Sequence, residues 1–417
     1  MRSMLNDNFY QTNRIAVIGG GAAGMMAAGT AVLSGAEVTI FESTDRLGKK
    51  LAITGKGRCN VTNNCSRDEF LENVTKNPRF LYAALSSFST EDTMSLFESL
   101  GVSLKTERGR RVFPESEKAI DIVNALKSYC SAANVVHKKV VSVKNVDGGF
   151  ELTAGTRTYR FDKVIIATGG KSYPLTGSDG SGYGLALKLG HTVTELIPSL
   201  IPLVSHSPLC KQMQGLSLRN VKITIKDEAE KVLYTDFGEM MFAHFGVTGP
   251  VILSASARLR NYNISSLRLS IDLKPALDEK TLDARLLSDF SKMANRDLIN
   301  ALGDLLPSKM IEPFISYCGL DCRKKVNSIT KEERHTILNA LKGLEIPLDG
   351  YRPIEEAIVT SGGVEVKEIT PKTMESRLIP GLYFCGEVID VDAYTGGYNL
   401  QIAFSTGYLA GKSAAES

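Results

Sequence analysis

The stretch from Arg14 to Gly24, Arg-Ile-Ala-Val-Ile-Gly-Gly-Gly-Ala-Ala-Gly, limits what this chain can fold into more than any other. Ile15 to Ile18 form an apolar run without alternation, which suits a short strand covered on both faces in a parallel sheet. Three spaced glycines follow: Gly19 permits a tight turn, Gly21 lets backbone approach a pyrophosphate, and Gly24 lets the next helix pack on the strand. That helix, from Ala22 and Ala23 to about Ser34, aims free N–H groups and its positive dipole end at phosphate. Val38 to Phe41 predicts a second strand. Glu42, eighteen positions after Gly24, ends it, where a carboxylate can accept from both hydroxyls of an adenosine ribose and repels a 2'-phosphate. Glycine clusters also close ordinary turns, but strand, helix and acid at these distances define dinucleotide binding. The motif alone does not separate FAD from NAD.

A chain of 417 residues, 43% of them hydrophobic, can fill two or three domains with real cores. Net charge +3 gives no electrostatic case for nucleic acid or an anionic membrane as partner. The apolar run from Ala22 to Leu33 is too short to span a bilayer, and the fourteen opening residues are too polar for a signal peptide. A cytoplasmic protein is expected. Seven irregularly spaced cysteines fit a reducing compartment, and without a CxxC pair or a histidine pattern no metal site is expected. Cys59 and Cys65 lie where some flavin enzymes keep a redox pair, but five residues intervene, so ordinary thiols are the default.

Residues 43 to 63 are glycine-punctuated and basic, a long loop beside the nucleotide site; Arg46, Lys49, Lys50, Lys56 and Arg58 suit a pyrophosphate or an electron-rich ring as well as plain solvation. Residues 80 to 100 and Ala119 to Cys130 carry helical periodicity, Arg108 to Pro114 reads as a plain connection, with a substrate-facing loop as the alternative, and Val135 to Val143 as a strand passing beside an adenine. Val164 to Ala167 is a second strand ending in glycine, Thr168-Gly169-Gly170, where backbone can lie against a ligand. From about His191 alternation takes over, in Val221–Lys226 and Leu267–Leu273, the period of half-exposed antiparallel strands. Helical patterns fill 276 to 344. Ala357 to Val364 and Gly381 to Glu387 then read as strands of the first sheet. Gly396 and Gly397 open a last helix, whose N-terminus can stabilise the negative charge of a reduced flavin, which favours FAD over NAD.

These residues together resemble the bacterial NAD(P)/FAD-dependent oxidoreductases of the BaiN and aminoacetone oxidase type. The resemblance rests on Gly-Gly-Gly-Ala-Ala-Gly (19–24), Leu-Gly-Lys-Lys-Leu (47–51), Gly-Arg-Cys-Asn-Val-Thr-Asn (57–63), Ala-Thr-Gly-Gly-Lys-Ser (167–172), His-Phe-Gly-Val-Thr-Gly-Pro (244–250) and the run from Gly381 to Asn399. It implies an α/β fold: a Rossmann-like FAD-binding domain split between residues 1–192 and 353–417, interrupted by a β-barrel-like insert. That insert takes 193–275, a helical subdomain 276–345 and a return at 346–352. Family FAD contacts map onto Gly21, Glu42, Lys50, Arg58, Cys59, Asn60, Val140, Ala167, Gly169, Gly386, Glu387, Tyr398 and Asn399. Gly19, Ala22, Ala23, Gly24, Gly57, Thr168, Gly397 and Leu400 complete the expected set. Lys56 stands where many relatives have glycine and Gln401 where small polar residues are frequent, and either could alter the substrate side of the ring.

The expected function is FAD-dependent hydride transfer between flavin N5 and a small organic substrate, with NAD(P)H as a transient donor. The alternatives are an amine oxidase using oxygen and a non-catalytic FAD-bound regulator; flavin-dependent RNA modification is disfavoured by the balanced charge. Arg58 and Asn60 are the candidate orienting groups, His244 and Tyr394 candidates for proton transfer or substrate contact, and a structural role is the stronger reading of His244.

Overall fold

The computed structural model describes residues 13–417; residues 1–12, on which much of the reading against a signal peptide rests, lie outside the described residues. The chain divides into two compact units, one joining the residues up to Ile197 with Ile358–Ser417, the other Pro198–Ala357.

In the first unit, β1 (Arg14–Ile18) leads through the glycine turn into α1 (Ala22–Leu33) and β2 (Glu37–Phe41). The sheet has five parallel strands in the order Leu382–Phe384, Lys163–Ile166, β1, β2, Asn134–Val136. β1 lies inside it, and its Ile15, Ala16 and Val17 are fully buried. That burial explains the unalternating apolar run: both faces are covered and both edges paired. The C-terminal helix Tyr398–Glu416 lies against α1 at glycines. A Cβ at Gly407 would stand 2.5 Å from the Ala23 carbonyl oxygen, and one at Gly411 would strike the Ala27 backbone. The last helix of the chain therefore packs backbone to backbone on the first.

Three local expectations need correction. Val135 to Val143 is two strands: Asn134–Val136 joins the parallel sheet, whereas Val140–Val146 joins an antiparallel sheet with Gly149–Ala154 and Arg157–Phe161. His137, Lys138 and Lys139 break the apolar pattern there, and the Lys138 N–H turns back to the Val136 carbonyl at 2.9 Å. Ala357 to Val364 shrinks to Val359–Ser361, outside the five-stranded sheet. Gly362 and Gly363 cause this: both have positive φ and press on the carbonyls of Glu195 and Val388, an approach only glycine allows. Arg108 to Pro114 is more than a connection. Arg111–Pro114 is the middle strand of a small antiparallel sheet between Thr62–Asn63 and Leu104–Glu107.

The second unit holds seven antiparallel strands in the order Leu344–Pro347, Arg268–Asp272, Ser217–Lys226, Val232–Ala243, Gly246–Thr248, Leu203–Val204, Gly350–Tyr351. The two edge strands are consecutive in the chain, so the sheet curls until its edges stand about 11 Å apart at most, the reach of a three-residue step. Helices Glu279–Lys292, Ser308–Tyr317 and Lys331–Lys342 share its core through Leu286, Phe314 and Leu341, against Ile223, Leu269 and Ile271. Among the described residues no helix is long and apolar enough to cross a membrane.

Candidate cofactor and active site

The glycine turn has three different jobs. Gly19 has φ +107°, and a Cβ there would lie 2.5 Å from the Ala167 carbonyl oxygen, so β1 and the strand ending at Ile166 meet only at glycine. A Cβ on Gly24 would collide with the Gly19 carbonyl, which lets α1 start directly above the turn. At Gly21 a Cβ would meet no atom within 4 Å, so the backbone there faces open space. Gly21 is the N-cap of α1, with no capping side chain and no acid in the first turn; the helix's first N–H groups, including those of Ala22 and Ala23, remain available to an anion.

Glu42 is buried and stretched across this turn. Its Oε2 accepts from the Gly20 N–H at 2.8 Å and its Oε1 from the Thr44 N–H at 2.7 Å. Two backbone bonds fix its carboxylate, and lone pairs remain for hydroxyl donors.

Beside it, Ala167 donates to the Ile18 carbonyl at 2.8 Å, Gly169 has φ +72°, and the hydroxyls of Thr168 and Ser178 are buried without partners. Gly386, with φ +76°, would place a Cβ 2.6 Å from that of Ala23, and its N–H donates to the Thr406 hydroxyl at 2.9 Å. Glu387 is fully engaged: Lys50 Nζ at 2.8 Å, the Ser172 hydroxyl at 3.2 Å and the Thr360 N–H at 2.9 Å. Lys50 also donates to Ser172 at 2.7 Å. Lys50 and Glu387 thus meet, but each is spent on the other and on segments far away in the chain. Val140 opens its antiparallel strand as a buried residue.

The loop before Asn60 is strained. Lys56 and Cys59 both have φ +58°, and Gly57 between them +85°. Lys56 points to solvent. Arg58 donates to Glu107 at 2.5 Å and Glu117 at 3.0 Å while its guanidinium lies 4.3 Å from the centre of the Phe113 ring. Its Nε–H and the side-chain oxygen of Asn60 are buried with no partner. Cys59 is buried and its thiol is pushed up to about 12 by that burial; Cys65, half-buried, rises to about 11. Both thiols are free and inert at neutral pH.

At the start of the last helix, Gly397 has φ +98°, and a Cβ there would lie 2.4 Å from the Thr62 carbonyl oxygen. Tyr398 packs edge-on against Phe70, with Leu400 half-buried two residues on. Asn399 spends its side chain on its own loop, bonding the N–H and carbonyl of Ala393 at 3.0 and 2.8 Å, so only its backbone is left for a ligand. Tyr394 donates its N–H to the Asn73 carbonyl at 3.0 Å. Gln401 does not face a substrate: it is fully buried, accepts from the Thr62 hydroxyl at 2.6 Å and donates to Ser89 and Ser405. Its size lets it reach three chain segments that a small polar residue would not. His244 belongs to the second unit, exposed at the hairpin after Ala243, with its ring edge-on to Phe245.

Sequence reasoning missed Ser172, Ser178, Thr360 and Thr406. Each is a hydroxyl residue without a spacing pattern, although Ser172 and Ser178 sit in the glycine-rich run after Ala167, whose backbone can lie against a ligand.

Four unpartnered buried polar groups, those of Arg58, Asn60, Thr168 and Ser178, together with the bare backbone at Gly21, fit a large polar ligand reaching from Glu42 toward residue 60. A fixed acid, an open helix start and two glycine-ended strands define a dinucleotide-binding site, and the family and relatives that follow make the protein a flavoprotein of the oxidoreductase class, with FAD as its cofactor. The chain belongs to the family described as HI0933-like protein Rossmann domain, whose model matches residues 13–413. It is 31% identical over 412 residues to a 3-dehydro-bile acid Δ(4,6)-reductase of Clostridium scindens, covering 97% of this chain and 99% of that one. It is also 31% identical over 395 residues to a ribosomal RNA dihydrouridine synthase of Escherichia coli K12, covering 94% and 95%. The fold recurs in the solved 3-ketosteroid-Δ4-(5α)-dehydrogenase of Rhodococcus jostii RHA1, at 16% identity and a TM-score of 0.51, over 100% of this chain and 99% of that one.

Proposed function

We propose that this enzyme reduces a carbon–carbon double bond conjugated to a carbonyl in a small organic molecule, with NAD(P)H as donor, in the cytoplasm. One observation carries the reading: the chain is equally similar, over nearly its whole length, to relatives whose names specify that one type of bond. A 3-dehydro bile acid unsaturated at C4 and C6 is a dienone, and dihydrouridine forms by saturating the C5–C6 bond of a uracil conjugated to C4=O. When bound, FAD supplies hydride exchange at its N5 atom.

In this reading residues 13–192 and 353–417 hold FAD, and 193–275 with its helical part 276–345 and return 346–352 form an insert between them in the chain. Glu42 holds the ribose, and the N–H groups opening α1 the pyrophosphate. Lys50, locked by Glu387 and Ser172, keeps the 50s loop against the 170s and 380s segments. Arg58 is braced by two carboxylates and an aromatic face, so its free Nε–H has little freedom to move; this donor and the Asn60 oxygen orient what lies against them. Tyr394 and His244 are the candidates for proton delivery.

Anaerobic stopped-flow spectroscopy tests this. The bound flavin should bleach with NADH or NADPH and recover with an enone or dienone acid. Bleaching by primary amines, with recovery only in oxygen, would make it an amine oxidase instead. Reduction of uracil in RNA is a second reading, favoured by the likeness to the Escherichia coli protein and to a ribosomal RNA dihydrouridine synthase of Haemophilus influenzae, 31% identical over 401 residues. Recovery of the reduced flavin with ribosomal RNA, and not with enones, would select it.

A further inference from the structure

We infer that Ser178 binds the adenosine half of FAD, donating its hydroxyl to the ligand at the ribose that Glu42 holds; the inference rests on the reading of FAD at that site. Ser178 is buried, 5% exposed, and its hydroxyl has no partner. Leaving a hydroxyl buried and unbonded costs about 1–3 kcal/mol, so a group in this state needs an occupant to explain it.

Its surroundings say which end of the ligand that is. The loop carrying it crosses the end of β2: a Cβ on Gly177 would lie 3.5 Å from Glu42 Oε1 and 3.4 Å from the Ser43 hydroxyl oxygen. On its other side a Cβ on Gly169 would lie 3.0 Å from the Ser178 hydroxyl oxygen. Ser178 therefore stands between the acid that ends β2 and the glycine that follows the Lys163–Ile166 strand. These are the two strand ends flanking β1, where a doubly wound sheet holds the adenosine side of its ligand.

The rest of the loop is already committed. Gly177 donates to the Pro174 carbonyl at 3.0 Å and Gly180 to the Gly170 carbonyl at 3.0 Å. Asp179 turns away, bonding Lys139 at 2.5 Å and the Ser181 N–H at 3.0 Å. These bonds fix the loop from both sides of Ser178 and leave its hydroxyl unused. The Thr168 hydroxyl, buried and unpartnered next to Gly169, is the second such group at this end.

The test is Ser178→Ala in the holoenzyme, with FAD release followed by flavin fluorescence on dilution. Loss of one such hydrogen bond should speed release by about tenfold. The visible spectrum and reduction potential of the flavin still bound should stay as in the wild type, because the contact is far from the ring. Ser178→Cys, which keeps the volume and weakens the bond, should shift release in the same direction if the alanine variant folds poorly. Release within twofold of wild type in a folded variant would overturn the inference, and so would faster release with a shifted spectrum, which would put Ser178 at the ring. Failure of the cofactor reading itself would show earlier, as wild-type protein that carries no flavin and takes up none.

Discussion

Two groups of buried polar side chains in the first unit behave in opposite ways. Around Gln401 every hydrogen bond is made: its amide joins the Thr62 hydroxyl, the Phe88 and Ser89 carbonyls and the Ser405 hydroxyl, so one side chain ties strand, loop and helix together. Between Glu42 and Asn60 the reverse holds, and four polar groups are buried with nothing to bond. A saturated network of this kind stabilises the protein alone, whereas unsaturated groups cost stability until something binds. The contrast places Gln401 in the scaffold, since its whole amide is spent on other parts of the chain.

Gln401→Leu should break the saturated side hardest. It strands the Thr62 hydroxyl and the Ser89 carbonyl, and should lower unfolding free energy by about 3 kcal/mol in urea titrations, with or without flavin. If stability falls only in the flavin-loaded protein, Gln401 belongs to the site after all.

A smaller loss should appear on acidification through His191, which links Glu368 at 3.1 Å to the Ser376 hydroxyl at 2.9 Å and is fully buried. Burial holds this imidazole below its ordinary value of 6.5 despite the neighbouring carboxylate. The unfolded chain then takes up the proton first, so the stabilising contribution is intact above about 6.5 and drains away as pH falls from there toward the folded value. His191→Gln should flatten the pH dependence of melting temperature in that window; an unchanged slope would show that His191 is not its source.

The smallest effect sharpens the unsaturated side. Thr168→Val keeps the shape and removes an unpartnered hydroxyl, so flavin-free protein should be unaffected or gain up to about 1 kcal/mol, while the loaded protein loses part of its stabilisation by FAD. A clear loss in the flavin-free protein would mean that Thr168 bonds to the protein itself.

The sheet-forming core was readable because its signals are local. An unalternating run at Ile15–Ile18 and glycines at 19, 21 and 24 describe one turn; a Cβ at Gly19 or Gly24 would collide with backbone, as their spacing suggests, while Gly21 faces open space. Glycine-ended strands at Ile166 and Phe384 follow the same logic. What escaped was decided at long range. Val135 to Val143 is rich enough in valine to read as one strand, yet its halves, on either side of His137–Lys139, pair with different sheets. Gln401, Thr360 and Thr406 find partners from 20 to 339 positions away, and no window along the chain contains both ends of such a bond. Asn399 shows the limit of motif transfer, since a residue in the right place can turn its side chain to its own loop.

The packing of Gly407 and Gly411 on Ala23 and Ala27 also bears on biosynthesis. Translation makes the opening turn first and its covering helix last, with the whole of Pro198–Ala357 between them. A ribosome stalled before residue 398 holds a nascent chain whose α1 lacks the helix that packs on it, so polypeptides cut short there, with α1 unbacked beside the proposed FAD site, should emerge colourless.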